Sequence, residues 1–137
     1  MRGRSPDGSR SAIRSPELRL SWPFVAASRV FSAWLPVAAW AAVIFALSSV
    51  PDLGTGLGGW DLVLRKLAHA AEFAVLGALL LRALGRPLTA FVLGTAYAVS
   101  DEIHQAFVAG RVGSPVDVGI DAVGVAVGIV LGLRLWR

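Results

Sequence analysis

Four short polar blocks interrupt a chain that is otherwise strongly apolar: Lys66-x-x-His69-x-x-Glu72, Asp101-Glu102-x-x-Gln105, the single Arg111, and Asp117-x-x-x-Asp121. An imidazole among carboxyl groups is the combination that accepts and returns a proton near neutral pH. Lysine and arginine beside it are suited to holding a phosphate or a carboxylate. Within each block the steps are three or four residues, so on a helix every block presents its polar groups on one face. His104 falls about 100° away from the Asp101–Gln105 face and is read as interfacial rather than as a member of the set. No nucleophile-elbow serine, H-E-x-x-H pair or glycine-rich phosphate loop accompanies the blocks. They define a polar site without naming a reaction, and leave open whether it catalyses or only binds.

The elements that must position these blocks follow from composition. The chain has 137 residues, 55% of them hydrophobic and 16% charged, with a mean hydropathy of +0.67. That is too apolar for an ordinary soluble domain, and the apolar residues come in long blocks rather than amphipathic stripes. The fold expected is an all-α membrane protein: a bundle of four transmembrane helices behind a disordered basic tail. Residues 1–29, rich in Arg, Ser and Pro, form the tail, and residues 30–137 form the membrane domain. A signal peptide is not expected, because the apolar run begins too far in and no small-residue cleavage site follows it. Spans are expected at about 30–50, 61–81, 87–109 and 116–133, lengths suited to a hydrocarbon core of about 30 Å. The loops "RALGRP" and "GRVGSP" are short, which makes neighbouring helices antiparallel. The absence of cysteine excludes disulfides, thiol nucleophiles and cysteine-based metal sites.

The basic residues orient the bundle. Arg2, Arg4, Arg10, Arg14, Arg19 and Arg29 in the tail, Arg82 and Arg86 in the middle loop, and Arg134 and Arg137 at the end fall on one side of a four-span chain. The positive-inside rule makes that side cytoplasmic, with both termini there. The net charge of +4 thus reports topology, and no nucleic-acid partner is expected. Counting helical rise from the cytoplasmic arginines puts Glu72 roughly 15 Å up, His69 roughly 20 Å and Lys66 roughly 24 Å. Asp101, Glu102 and Gln105 come at roughly 23 to 29 Å, and Asp121 and Asp117 at roughly 20 and 26 Å. Three helices therefore bring their polar groups to one layer in the outer half of the membrane, with Arg111 above it. Asp52 and Asp61 are read as lying at the water interface, a reading that Asp117 also admits. Gly124, Gly128 and Gly132 recur at four-residue intervals on the face of Asp117 and Asp121, where they let another helix approach closely and so aim both aspartates into the bundle; the same glycines also suit a packing partner or a second copy.

The candidate site is therefore Lys66, His69, Glu72, Asp101, Glu102, Gln105, Arg111, Asp117 and Asp121. Five carboxyl groups face Lys66, Arg111, His69 and at most one further cation, Arg65, so bound protons, a cation or a cationic ligand must offset the excess. Acidic groups at a helix centre cost roughly 2.5–3.5 kcal/mol to insert, so they are rarely left without a role. Four roles fit the residues. One is an outer-leaflet site for a lipid or a lipid-linked envelope precursor. A second is a small proton-coupled transporter. A third is a structural or partner-binding module whose charges pair internally. The last is a metal centre on His69 and Glu72, disfavoured because no second histidine aligns with them. No metal and no cofactor are expected.

The blocks taken together, with Phe73 after Glu72, Phe107 after Gln105 and Gly124 after Asp121, resemble the VanZ-like family over about residues 60–132. The tail and first span carry none of its motifs. Phe73 stands where that family commonly has tyrosine, and Asp121 where it commonly has asparagine. The resemblance implies a small multi-pass protein of the bacterial cytoplasmic membrane. It also implies a link to the cell envelope and to resistance against the glycopeptide teicoplanin. It supplies no biochemical activity.

Overall fold

The computed structural model describes residues 22–51 and 59–136. Expectations for residues 1–21 and for the loop around Asp52 lie outside those residues. The described chain is four helices: α1 (Trp22–Ser48), α2 (Gly59–Leu84), α3 (Pro87–Gln105) and α4 (Pro115–Leu135), with no strand. The first helix begins eight residues earlier than the expected span, so the stretch 22–29, assigned to the tail from its composition, is helical. The third helix stops at Gln105, short of the expected end at 109. Its last polar turn gives way to a turn whose Gly110 has φ +76°, a left-handed conformation that glycine adopts without strain.

Local chemistry marks the helix boundaries. Pro87 and Pro115 occupy first turns, where the missing N–H costs nothing. Ser114 caps α4 by accepting from Val116 N–H at 3.2 Å. Gly85, at φ +62°, turns the chain between α2 and α3.

Val30–Ser48, Gly59–Leu84 and Pro115–Leu135 are long and apolar enough to cross a membrane. Helix α3 is not, because Asp101, Glu102, His104 and Gln105 crowd its C-terminal end. Burial runs opposite to that of a soluble bundle. Phe31, Val92, Ile103 and Val123 are more than half exposed, while Asp101 and Asp121 are 3% and 1% exposed. Apolar side chains outside and carboxyl groups inside suit a hydrocarbon solvent.

The bundle is built on the pairing of α2 with α4, its most extensive helix–helix contact. Gly124 and Gly128 lie directly against the backbone of Ala70 and Ala74, and Gly77 against the backbone of Val125. Gly132 meets the side chains of Leu81 and Trp136. The glycine face is therefore filled by this chain's own residues. The close approach of another helix expected at Gly124 and Gly128 is thus made by α2 of the same chain. Helix α1 is tied on along its length by directed hydrogen bonds, among them Trp40 Nε1 donating to Glu72 O at 2.8 Å and Tyr97 Oη to Ala41 O at 2.7 Å. Trp40, too deep for an interfacial anchor, is thus a link between α1 and α2.

A side chain at Gly128 would have to displace backbone, and overpacking of that kind costs about 1–3 kcal/mol or more. Gly128→Val should lower the melting temperature of the detergent-solubilised protein markedly. Gly119→Ala, on an open face of the same helix, should leave it unchanged or raise it.

Candidate functional site

The site is centred on His69, half-way along α2. Its Nδ1 lies 2.9 Å from Asp121 Oδ1 on α4, and its Nε2 lies 3.2 Å from Asp101 Oδ2 on α3. One imidazole therefore joins three helices through two almost fully buried carboxyl groups. Asp101 Oδ2 also accepts from Ser48 Oγ and from Gln105 Nε2, each at 2.8 Å. The amide of Gln105 is oriented from its other end, where Oε1 accepts from Arg111 Nη1 at 3.0 Å. Ser48 Oγ and Gln105 Nε2 both stand 3.3 Å from His69 Nε2. That nitrogen can donate to Asp101 and Ser48, or accept from Gln105, as the imidazole gains or loses a proton. The imidazole is thus held at both ends, a geometry in which it could pass a proton between its partners.

A cavity of about 350 Å³ opens beside this histidine. His69, Glu102, Gln105 and Asp121 form its inner wall; Lys66, Arg111 and Asp117 stand around it, together with Arg65. Glu102 is fixed by accepting from Ser114 N–H at 2.8 Å, which ties the end of α3 to the start of α4. Lys66 pairs with Asp117 across α2 and α4, and Arg65 with Asp61 one turn back at 3.1 Å. Arg111 reaches across to α1, donating to Val50 O at 3.1 Å and Leu47 O at 3.4 Å, where it caps the end of that helix. Two of the nine candidate residues do not line the cavity. Asp101 stands behind His69, and Glu72 lies a turn deeper, with its Oε2 buried and without a hydrogen-bond partner among the described residues. Asp101 Oδ1 and Asp121 Oδ2 are in the same state.

Against this geometry, the family model for VanZ/LLP1 matches residues 3–137. The chain belongs to the VanZ/LLP1 family. The match extends beyond the motif-bearing blocks to the first helix and most of the tail. Together with the apolar helices it makes this a VanZ-family membrane protein. Neither a curated protein nor a solved structure matches the chain.

Within this VanZ-family chain, the residue that sequence reasoning missed is Ser48. It is 1% exposed and is the contribution of α1 to the His69 network. The available signal was faint: a serine pair closing an apolar run just before Pro51. Ser49 bonds His104 Nε2 at 2.9 Å, and Phe45 stacks on the same ring at a centroid distance of 4.3 Å. His104 thus fastens α3 to α1, apart from the His69 network. Phe73, where the family commonly has tyrosine, packs fully buried against the rings of His69 and Tyr97.

Removing the imidazole leaves Asp101 and Asp121 facing each other without their shared partner, and breaking buried pairs in this way costs about 3–5 kcal/mol. His69→Ala should therefore destabilise the protein strongly in thermal or denaturant unfolding. Asp101→Asn combined with His69→Ala should recover part of the loss. An additive double mutant would show that the pair is not coupled.

Proposed function

We propose that the cavity binds, and presents to proton transfer, the anionic head of an amphiphile in the outer leaflet: a lipid or a lipid-linked precursor of the bacterial cell envelope. The observation that carries this reading is the adjacency of two unlike spaces. The polar cavity shares Glu102 and Ser114 with a groove of about 440 Å³ whose other walls include Val99, Ile103, Pro115 and Val118. A head group and the start of an acyl or prenyl chain fit such a pair of neighbours, whereas a water-soluble substrate has no use for the groove. In the cavity, Lys66 exchanges Asp117 for a phosphate or carboxylate, Arg65 and Arg111 supply further positive charge, and His69 moves the proton. Gln105 and Asp121 orient the imidazole. An effect on glycopeptide susceptibility follows if the bound species is a peptidoglycan precursor.

The same reading uses all four helices as spans of the bacterial cytoplasmic membrane, with both termini in the cytoplasm and the cavity on the far side. Four helices and the arginines at 82, 86 and 134 support that orientation. Helix α3 is short of apolar surface because its outer end lines the polar cavity.

Two measurements test these statements. The chain has no cysteine, so Ala109→Cys and Arg86→Cys each give a single label site. A membrane-impermeant maleimide applied to intact cells should label the first and spare the second; the reverse pattern would invert the topology. For function, lipids and envelope precursors should be profiled in a deletion strain, with wild type or Glu102→Ala restored. Wild type should return the deletion's altered species to normal, and Glu102→Ala should not, although it accumulates in the membrane. An unaltered profile in the deletion strain would defeat the reading.

A further inference from the structure

Among the described residues, the ion pairs leave the carboxyl groups around His69 short of positive charge. Lys66 is occupied by Asp117 and Arg65 by Asp61, and Arg111 spends its donors on Gln105 and two backbone carbonyls. Asp101, Glu102 and Asp121, each under 7% exposed, are left with one imidazole between them. Three carboxylates that far from water are costly unless paired or bound to a cation.

Three of these groups converge. One ring nitrogen of His69 and one carboxyl oxygen each from Glu102 and Asp121 lie within 4.8 Å of one another. Bonds of about 2.0–2.2 Å to a central ion would span up to about 4.4 Å, so small side-chain adjustments bring all three within reach. A second feature points to a ligand independently of this convergence. Asp121 is 1% exposed and lines the cavity, yet its Oδ2 has no partner among the described residues. The support behind the histidine is of the kind metal sites use. Metal-bound imidazole ordinarily donates its other N–H to a carboxylate, and Asp101 Oδ2 stands 3.2 Å from Nε2, held in place by Ser48 and Gln105. Glu102 has one oxygen anchored on Ser114 N–H, leaving the other to turn toward the ion.

We infer that His69, through Nδ1, together with Glu102 and Asp121, forms a site for one divalent cation, with Asp101 as the positioning residue behind the imidazole. One imidazole with two carboxylates suits Mn²⁺ or Zn²⁺ better than a thiophilic ion, and the remaining coordination positions face the cavity. On binding, the proton shared between Nδ1 and Asp121 leaves to solvent, and the neutral imidazole keeps its Nε2 proton on Asp101. The ligand class the site adds is an oxyanion that completes the coordination, such as a phosphate. This deepens the reading above by naming what meets a phosphate head, but the cation site stands or falls without any lipid.

The test uses the full chain without a histidine tag, purified in detergent, stripped with chelator and equilibrated with Mn²⁺ alone or Zn²⁺ alone. Bound metal per chain is measured after gel filtration, and Mn²⁺ also by electron paramagnetic resonance. Wild type should bind about one ion per chain, and His104→Ala should match it. Glu102→Gln and Asp121→Asn, which preserve shape, should weaken binding at least tenfold. Asp101→Asn should keep the stoichiometry while weakening affinity about 10–100-fold. Wild-type affinity should also fall as pH is lowered, because protons compete for the ligands. Wild type without a stoichiometric ion, or Glu102→Gln and Asp121→Asn binding as wild type does, would overturn the inference. Neither result touches the lipid reading, which the precursor profile decides separately.

Discussion

The arrangement depends on the distance between His69 and Asp121, and that distance is set by glycine. Gly124 lies against the backbone of Ala70, the residue after His69, and Asp121 is one turn before Gly124 on the same face. With any larger residue at 124 or 128 the two helices would separate, and a hydrogen bond of 2.9 Å from Nδ1 would not survive the shift. In hydrocarbon no hydrophobic effect forces helices together, so close backbone approach and directed polar bonds must do so. Here the two depend on each other. Glycine packing brings the carboxylate to the imidazole, and the imidazole then reaches α3 through Asp101 and meets Ser48 of α1. One side chain on α2 is thereby linked to each of the other helices.

Turning the polar groups inward also shapes what remains outside. The outward faces are apolar along α1, α2 and α4, as a lipid environment requires. Helix α3 likewise shows Leu88, Val92, Val99 and Ile103 outward, but its C-terminal turns carry Asp101, Glu102 and Gln105 on the buried side. A helix so composed is stable in a membrane only if its neighbours cover that end. The cover consists of the Ser114 N–H on Glu102, the reach of Arg111 over the end of α1, and the His104–Ser49 bond. The loop 106–114 is thus part of the site's construction rather than a simple connection, which explains how a cavity can exist between helices otherwise packed at glycine distance.

Much of this was legible in the sequence because helical phase is a strong constraint. Lys66, His69 and Glu72, then Asp101 and Gln105, then Asp117 and Asp121 each fall on one face, and inward-facing polar faces in a small bundle have few places to meet. The same phase separates His104 from the set, and its ring is fastened to Ser49 and Phe45 instead. Pairing was not legible. That Lys66 takes Asp117, and that Asp101 rather than Glu72 supports His69, depends on helix rotation and crossing to within a few ångströms, which periodicity does not resolve. Glu72 shares a face with His69 yet lies a turn too deep to line the cavity. Ser48 carries no charge and ends an apolar run, so nothing in its neighbourhood distinguished it from a serine meeting water. The start of α1 is hidden for a related reason: arginine and proline composition masks a helical stretch that begins at Trp22.

The two departures from the family's common residues can be weighed against this geometry. Phe73 in place of tyrosine removes a hydroxyl beside the imidazole, while the ring still packs against His69 and Tyr97. Aspartate in place of asparagine at 121 has the larger consequence. An asparagine there could give His69 Nδ1 either an acceptor or a donor, and would add no charge. An ionised aspartate can only accept, leaves one oxygen with no donor to face, and raises the carboxyl count around the imidazole. Such a substitution is costly in a buried cluster unless something positive shares the site. A chain that carries aspartate at this position therefore has a stronger physical requirement for a proton or a cation beside His69 than one that carries asparagine. In this chain the glycine contacts of α2 and α4 assemble the cavity, while the charge at 121 sets what it must hold.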